Sequence, residues 1–213
     1  MVEGPVSQSR PDDPVEIRYG TIGRPCCPYD HLVTLDEDGN ETPPGAEGEL
    51  AAKGPGVFTG YLKNPQANEK EFTPGGYFRT GDLATIDEHG NIRITGRIKD
   101  IIIRGGENIA ARDVEDLIST CPGVEYVAAV GMPDPDLGEK VCVYIKMSEN
   151  ETLSHENIIK YLDGLGASKL LYPSRTEFVE EIPLTAAGKA DKKVLRKDIE
   201  EKISKLAQEL GAE

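Results

Sequence analysis

Basic residues are in short supply. Lys and Arg total 24 against 38 Asp and Glu over 213 residues, a formal net charge of −14. No dense Lys/Arg run occurs before the C-terminal tail, so the cationic face of a nucleic-acid binder is missing. Long apolar runs are missing too; none approaches the ~20 residues that span a bilayer. The start, Met1-Val2-Glu3-Gly4-Pro5, has neither the basic stretch nor the apolar core of a secretory signal. These absences predict a cytoplasmic protein with no membrane span and no nucleic-acid partner. A nucleotide site stays open, because a few local cations suffice for one.

Cysteine and histidine are equally thin. Cys26, Cys27, Cys121 and Cys142 form no C-x-x-C pair, and neighbours such as Cys26 and Cys27 rarely bridge. That argues against a disulfide framework or a zinc site and leaves small buried hydrophobes. His31, His89 and His155 stand far apart, and solvated roles are expected over metal or triad roles. What is plentiful is charge, at 29%, beside 38% hydrophobic residues, which suits a folded protein. The length fits one large domain or two small ones.

The first third is punctuated by glycine and proline and reads as short strands. Residues 31–35 alternate and run into the turn cluster Asp36-Glu37-Asp38-Gly39-Asn40; residues 49–53 are a second strand candidate. The β-prone runs 83–86 and 92–95 flank a loop containing Gly90, which predicts a hairpin. After Lys99 the texture changes. Residues 101–103 suit a buried strand, 111–121 a helix ended by Pro122-Gly123, and 124–132 and 140–147 two strands. Residues 154–165 read as a helix and 175–179 as a strand. From Asp191, a candidate N-cap, the tail reads as a long amphipathic helix. The expected class is α+β: a small β-rich unit of distorted-barrel type over 1–98, then an α+β domain over 99–213. The alternative is one continuous domain with a β-rich start.

Four motifs place charge beside glycine or at a turn, where backbone can approach a ligand closely. Asp82 lies in Tyr77-Phe78-Arg79-Thr80-Gly81-Asp82-Leu83. A carboxylate fixed at a turn can accept two hydrogen bonds from a vicinal diol, although an isolated T-G-D is more simply a turn cap. Gly96-Arg97-Ile98-Lys99-Asp100 follows the hairpin, which would bring Arg97 to the same end as Asp82. Arg104-Gly105-Gly106-Glu107-Asn108-Ile109 reads as a glycine turn between a strand and a helix, with a tight connection as the plain alternative. Lys189 ends Pro183-Leu184-Thr185-Ala186-Ala187-Gly188-Lys189, a loop with no apolar face. A lysine on such a loop can carry a point charge to a phosphoryl or carboxylate oxygen; beside Lys192, Lys193, Arg196 and Lys197 it also fits an ordinary surface lysine.

In this order the motifs resemble the C-terminal half of the acyl-adenylate-forming enzymes: acyl- and aryl-CoA synthetases, adenylation domains and luciferases. The stretch from Gly4 to Pro25 is similar to aryl-acid ligases of the 2,3-dihydroxybenzoate-AMP type and to long-chain fatty-acid-CoA ligases. The resemblance implies ATP, Mg²⁺ and CoA as cofactors and a carboxylic acid as substrate, with a place in fatty-acid metabolism as one expectation. It implies ribose contacts for Asp82 and Arg97 and a hinge at Lys99. Gly105 and Gly106 would line the pantetheine path, and Lys189 would bridge the carboxylate and the α-phosphate during adenylation. Glu3 matches the end of the family's Tyr-Gly-Met-Thr/Ser-Glu stretch, which implies a weak role at Mg²⁺.

Two departures accompany the match. Ser168-Lys169-Leu170-Leu171-Tyr172-Pro173 stands where the family often has Tyr-Lys-x-Pro, so the resemblance gives no support for CoA contacts from that segment. The family's Ser/Thr/Gly-rich phosphate loop ending in Pro-Lys and its acyl-pocket domain do not occur. Proximity and orientation are then lacking, so the chain is expected to be inactive in adenylation without a large N-terminal domain, on a separate chain or otherwise. Self-association through uncovered apolar surface is a further expectation. The alternatives are a non-catalytic nucleotide-, CoA- or protein-binding module, or part of an adenylation domain that loads a carrier protein.

Overall fold

The computed structural model describes residues 4–149 and 151–210. The chain parts into two units, Met1–Lys99 and Asp100–Glu213.

In the first unit, β1 (Ser7–Gln8), α1 (Val15–Gly20) and β2 (Arg24–Pro25) form a short antiparallel ribbon around one helical turn and a half. Backbone bonds between Ile92 and residues 22 and 23 join that ribbon to the main sheet. The sheet contains β3 (His31–Leu35), β4 (Glu47–Lys53), β5 (Phe78–Ile86) and β6 (Ile92–Arg97), antiparallel and in that order. The helix α2 (Pro65–Glu71) interrupts the run between β4 and β5; Asn64 caps it and Pro65 opens it. Period-2 alternation puts Leu50, Ala84 and Ile92 in the core, with Leu32, Ile86 and Ile94 packed against them. The α+β class holds. The sheet is open rather than a barrel, since β3 and β6 do not pair and four strands are too few to close.

In the second unit, β7 (Ile101–Arg104) and β8 (Glu107–Ala110) make a tight hairpin that leads into α3 (Ala111–Ser119). The long strands β9 (Val124–Asp134) and β10 (Gly138–Met147) pair antiparallel. After α4 (His155–Gly164), β11 (Arg175–Phe178) joins β10 in parallel, and α5 (Lys192–Leu210) closes the unit. Ser154 and Asn157 form a capping box at α4.

Alternation along β9 and β10 sorts the core into two layers. Val127, Ala129, Val141, Val143 and Ile145 pack with α3 and α4 through Val114, Ile118, Ile158 and Leu162. Ala128, Val130, Cys142 and Tyr144 point to the other face and meet Leu195 and Ile199 of α5. Each fully buried aliphatic side chain contributes about 1.5–3 kcal/mol, so these layers hold both helix sets on the sheet. No helix among the described residues is long and apolar enough to cross a membrane.

Candidate functional site

Asp82 and Arg97 meet across the β5–β6 hairpin. They are register partners, and the Arg97 Nε donates to Asp82 Oδ1 at 2.7 Å. The local fold explains the aim of Asp82. β5 bulges against β4, where pairing jumps from Glu49↔Leu83 to Ala51↔Arg79 and leaves residues 80–82 opposite Leu50. Gly81 sits in that bulge at φ +73°, a conformation L side chains rarely adopt. The Thr80 hydroxyl donates to Leu50 O and accepts from the Asp82 N–H. Glu49 buttresses the bulge from β4: its carboxylate takes the Arg79 guanidinium at 2.6 Å and the Gly81 N–H at 3.2 Å. β6 has its own irregularity, with Thr95 as the extra residue between Ile94 and Gly96, and the buried Thr95 hydroxyl has no hydrogen-bond partner among the described residues. The result is a partly exposed carboxylate, held by one cation, with acceptor capacity to spare.

Lys99 is exposed, in the short 3₁₀ turn Ile98–Asp100, where the chain passes from the first unit to the second. Gly105 and Gly106 form the two-residue tip of the β7–β8 hairpin, at φ +60° and +89°. The expectation of a strand-to-helix turn is therefore corrected: the four-residue strand β8 separates these glycines from α3. Paired positive φ is what a type I′ turn demands, and Gly-Gly supplies it. The Gly105 N–H donates to Leu137 O in the β9–β10 turn, which steadies the tip.

Lys189 begins the return arm of a small hairpin loop. The Thr185 N–H donates to Lys189 O at 2.7 Å, the Gly188 N–H to Thr185 O at 2.9 Å, and Leu184 bridges Ala190. The loop runs straight into α5: the Asp191 N–H donates to Pro183 O, and the Asp191 carboxylate accepts from the N–H groups of Lys193 and Val194. The Lys189 ammonium makes no ion pair among the described residues and is exposed. Glu3 lies outside the described residues. Among those described, no group of three or more His, Cys, Asp or Glu side chains could hold a metal ion.

Two polar clusters fasten α5. Near its start, Arg196 reaches Asp100 at 2.8 Å, and Lys192 reaches Glu115 at 2.8 Å and Asp100 at 3.8 Å. Glu115 Oε1 also accepts the Ala129 N–H of β9 at 2.7 Å. One turn further, Tyr144 donates to Asp198, and Lys202 bridges Asp198 and Glu177, each at 2.7 Å. Burial pushes the Glu177 and Asp198 carboxyls up, but hydrogen bonds from Lys202, with Arg175 for Glu177 and Tyr144 for Asp198, outweigh it and leave both below their ordinary values. Burial pulls the Lys202 ammonium down, and the same carboxylates more than offset that and raise it. The contacts of Glu49, Asp100 and Glu115 were not legible in the sequence, because their partners lie 30 or more residues away or on other elements.

Residues 113–189 match the family model described as AMP-binding enzyme C-terminal domain, and residues 3–62 the one described as AMP-binding enzyme. A salicylyl-CoA synthase / salicylate adenylyltransferase from a Streptomyces species is 43% identical over 92% of this chain and 35% of the relative. A salicyl-AMP ligase / salicyl-S-ArCP synthetase from Mycobacterium tuberculosis is 38% identical over 92% of this chain and 34% of the relative. The crystal structure of ATP-bound MatB from Rhodopseudomonas palustris has a TM-score of 0.82 at 34% identity, over 90% of this chain and 38% of that one. The chain thus spans about a third of the length of these curated relatives. Both are named for salicylate, an aryl acid, and the fatty-acid expectation has no support in them.

Proposed function

Because this chain belongs to the AMP-binding, adenylate-forming enzymes and matches their C-terminal part, we propose that it takes part in ATP-dependent activation of an aryl carboxylic acid. In the first step the carboxylate attacks the α-phosphate of ATP, forming acyl-AMP and releasing pyrophosphate. In the second a thiol attacks the acyl carbon, giving a thioester and AMP. Asp82 accepts hydrogen bonds from the ribose diol while Arg97 holds its other oxygen. Lys189 offsets negative charge shared between the carboxylate and the α-phosphate, where an unpaired ammonium acts most strongly. Lys99 is the pivot about which the unit from Asp100 onward turns between the two steps.

The observation that carries this reading is the setting of Lys189: an exposed ammonium without an ion pair among the described residues, on a tight loop that continues into an anchored helix. The thiol belongs to a phosphopantetheine arm, and we assign its path to Gly105 and Gly106, whose turn is exposed and bare of side chains. CoA is the expected acceptor, and the carrier-protein alternative is kept because one relative is named for each. Among the described residues no group of three or more His, Cys, Asp or Glu side chains could hold a metal ion, and no step is routed through Mg²⁺.

The 213 residues contain no Ser/Thr/Gly-rich loop ending in Pro-Lys, so catalysis requires a segment that supplies the phosphate loop and the acyl pocket. Salicylate-dependent pyrophosphate exchange should be absent with this chain alone and appear once that segment is added. In the assembled enzyme, Lys189→Ala should slow exchange by about a hundredfold or more. Unchanged exchange in that variant would remove the basis for the assignment. Supplying CoA or an aryl carrier protein to the assembled enzyme identifies the acceptor.

A further inference from the structure

We propose that Asp100 and Arg196, supported by Lys192 and Glu115, are positioning residues that set the direction of Lys189. This rests on the reading of Lys189 above. The bonds inside residues 183–191 fix the shape of the loop, but its direction is inherited from the first two turns of α5, which begins three residues after Lys189. Lys192 and Arg196 stand four apart on those turns and therefore share a face. Both reach Asp100, and Lys192 also reaches Glu115 of α3, itself bonded to β9. The start of α5 is thus tied to three elements at once.

Asp100 is the informative member, because it directly follows Lys99, the proposed pivot. The tie links the first residue of the second unit to the loop that carries the ammonium. When that unit turns, the angle at which Lys189 arrives is set by this tie. A purely stabilising role for the cluster is the competing account, and the packing argues against it. Leu195 is 3% exposed and Ile199 fully buried, and Tyr144 bonds to Asp198, so α5 remains docked without the cluster. What Asp100 and Arg196 add is the azimuth of the helix start. Their side chains are 23% and 31% exposed, so water screens the pair and its contribution to overall stability is small.

Hydrogen exchange on the 213-residue chain tests this without any assay of activity. In Asp100→Asn or Arg196→Gln, the Thr185 and Asp191 amides, which close the loop, should exchange about tenfold faster, while the Val143 and Ile145 amides keep wild-type rates. Arg196→Lys should restore most of the protection. In the assembled enzyme, Arg196→Gln should slow adenylation about tenfold and leave thioester formation from supplied acyl-AMP within about twofold. Wild-type exchange at Thr185 and Asp191, or equal losses in both half-reactions, would overturn the proposal. Full adenylation by Lys189→Ala would instead overturn the functional reading alone, since the exchange rates are measured on the isolated chain.

Discussion

A methyl group added at Gly81 isolates the conformational demand of the β5 bulge. The new Cβ would meet nothing within 4 Å, so its effect comes from φ +73° alone. Gly81→Ala should cost about 1–2 kcal/mol, read as a lower urea midpoint with an unchanged slope. Glu49→Ala acts on the same bulge from outside by leaving the Gly81 N–H and the Arg79 guanidinium without their partner. About 1–3 kcal/mol should be lost, and in the assembled enzyme the KM for ATP should rise as Asp82 loses its mount. The pairing of Asp82 with Arg97 was legible because T-G-D and G-R flank a hairpin whose turn is written in the sequence. Glu49 was not, because it contacts Gly81 across 32 residues and no local pattern marks it.

The helix α5 and the strands beneath it carry a pH signature. Glu177 and Asp198 have folded values below their ordinary 4.5 and 3.8, so the stability they add is present above those values and is lost as pH falls through the lowered ones. Lys202 is raised above 10.5, so its share is complete below that value and is lost as pH rises through the folded one. Thermal midpoints should therefore hold between these limits and fall on both sides. Tyr144→Phe should lower the midpoint by the equivalent of about 1–3 kcal/mol at neutral pH and weaken the acid limb, since it removes a hydrogen bond to a charged group. Elements with a clear period were the ones legible in the sequence: β3 matches the expected 31–35, and α4 and α5 begin within a residue of their capping signals. The hairpin tip at Gly105 and Gly106 was read as leading straight into a helix, so β8 was missed, although a Gly-Gly pair flanked by β-prone residues is itself a hairpin signal. α2 was missed because none of its residues is buried and no apolar period exists to reveal it.

At the level of the whole chain, the two units differ in how much core they contain. Among the described residues, the first has a cluster of three buried side chains, Leu50, Ala84 and Ile92, whereas the second has two clusters of twelve and eight. A small core supports little stability. Urea unfolding followed by hydrogen exchange should show amides of residues 31–97 opening at lower denaturant than those of residues 124–147. Tyr19, Leu62 and Tyr29 of the first unit are 85%, 89% and 73% exposed. Large apolar side chains left in water favour association, so sedimentation should show mass rising with concentration, and Tyr19→Ser with Leu62→Ser should reduce the rise. The placement of the four thiols has one more consequence. Cys26 is open to solvent, while burial, with the Glu177 charge beside it, pushes the Cys142 thiol up to about 12. Cys121 is also buried and raised. A maleimide dye therefore reacts at Cys26 of the native molecule, with Cys27 partly covered beside it, and finds the Cys121 and Cys142 sulfurs only after the second unit opens, so labelling at those two positions reports that opening without any engineered probe.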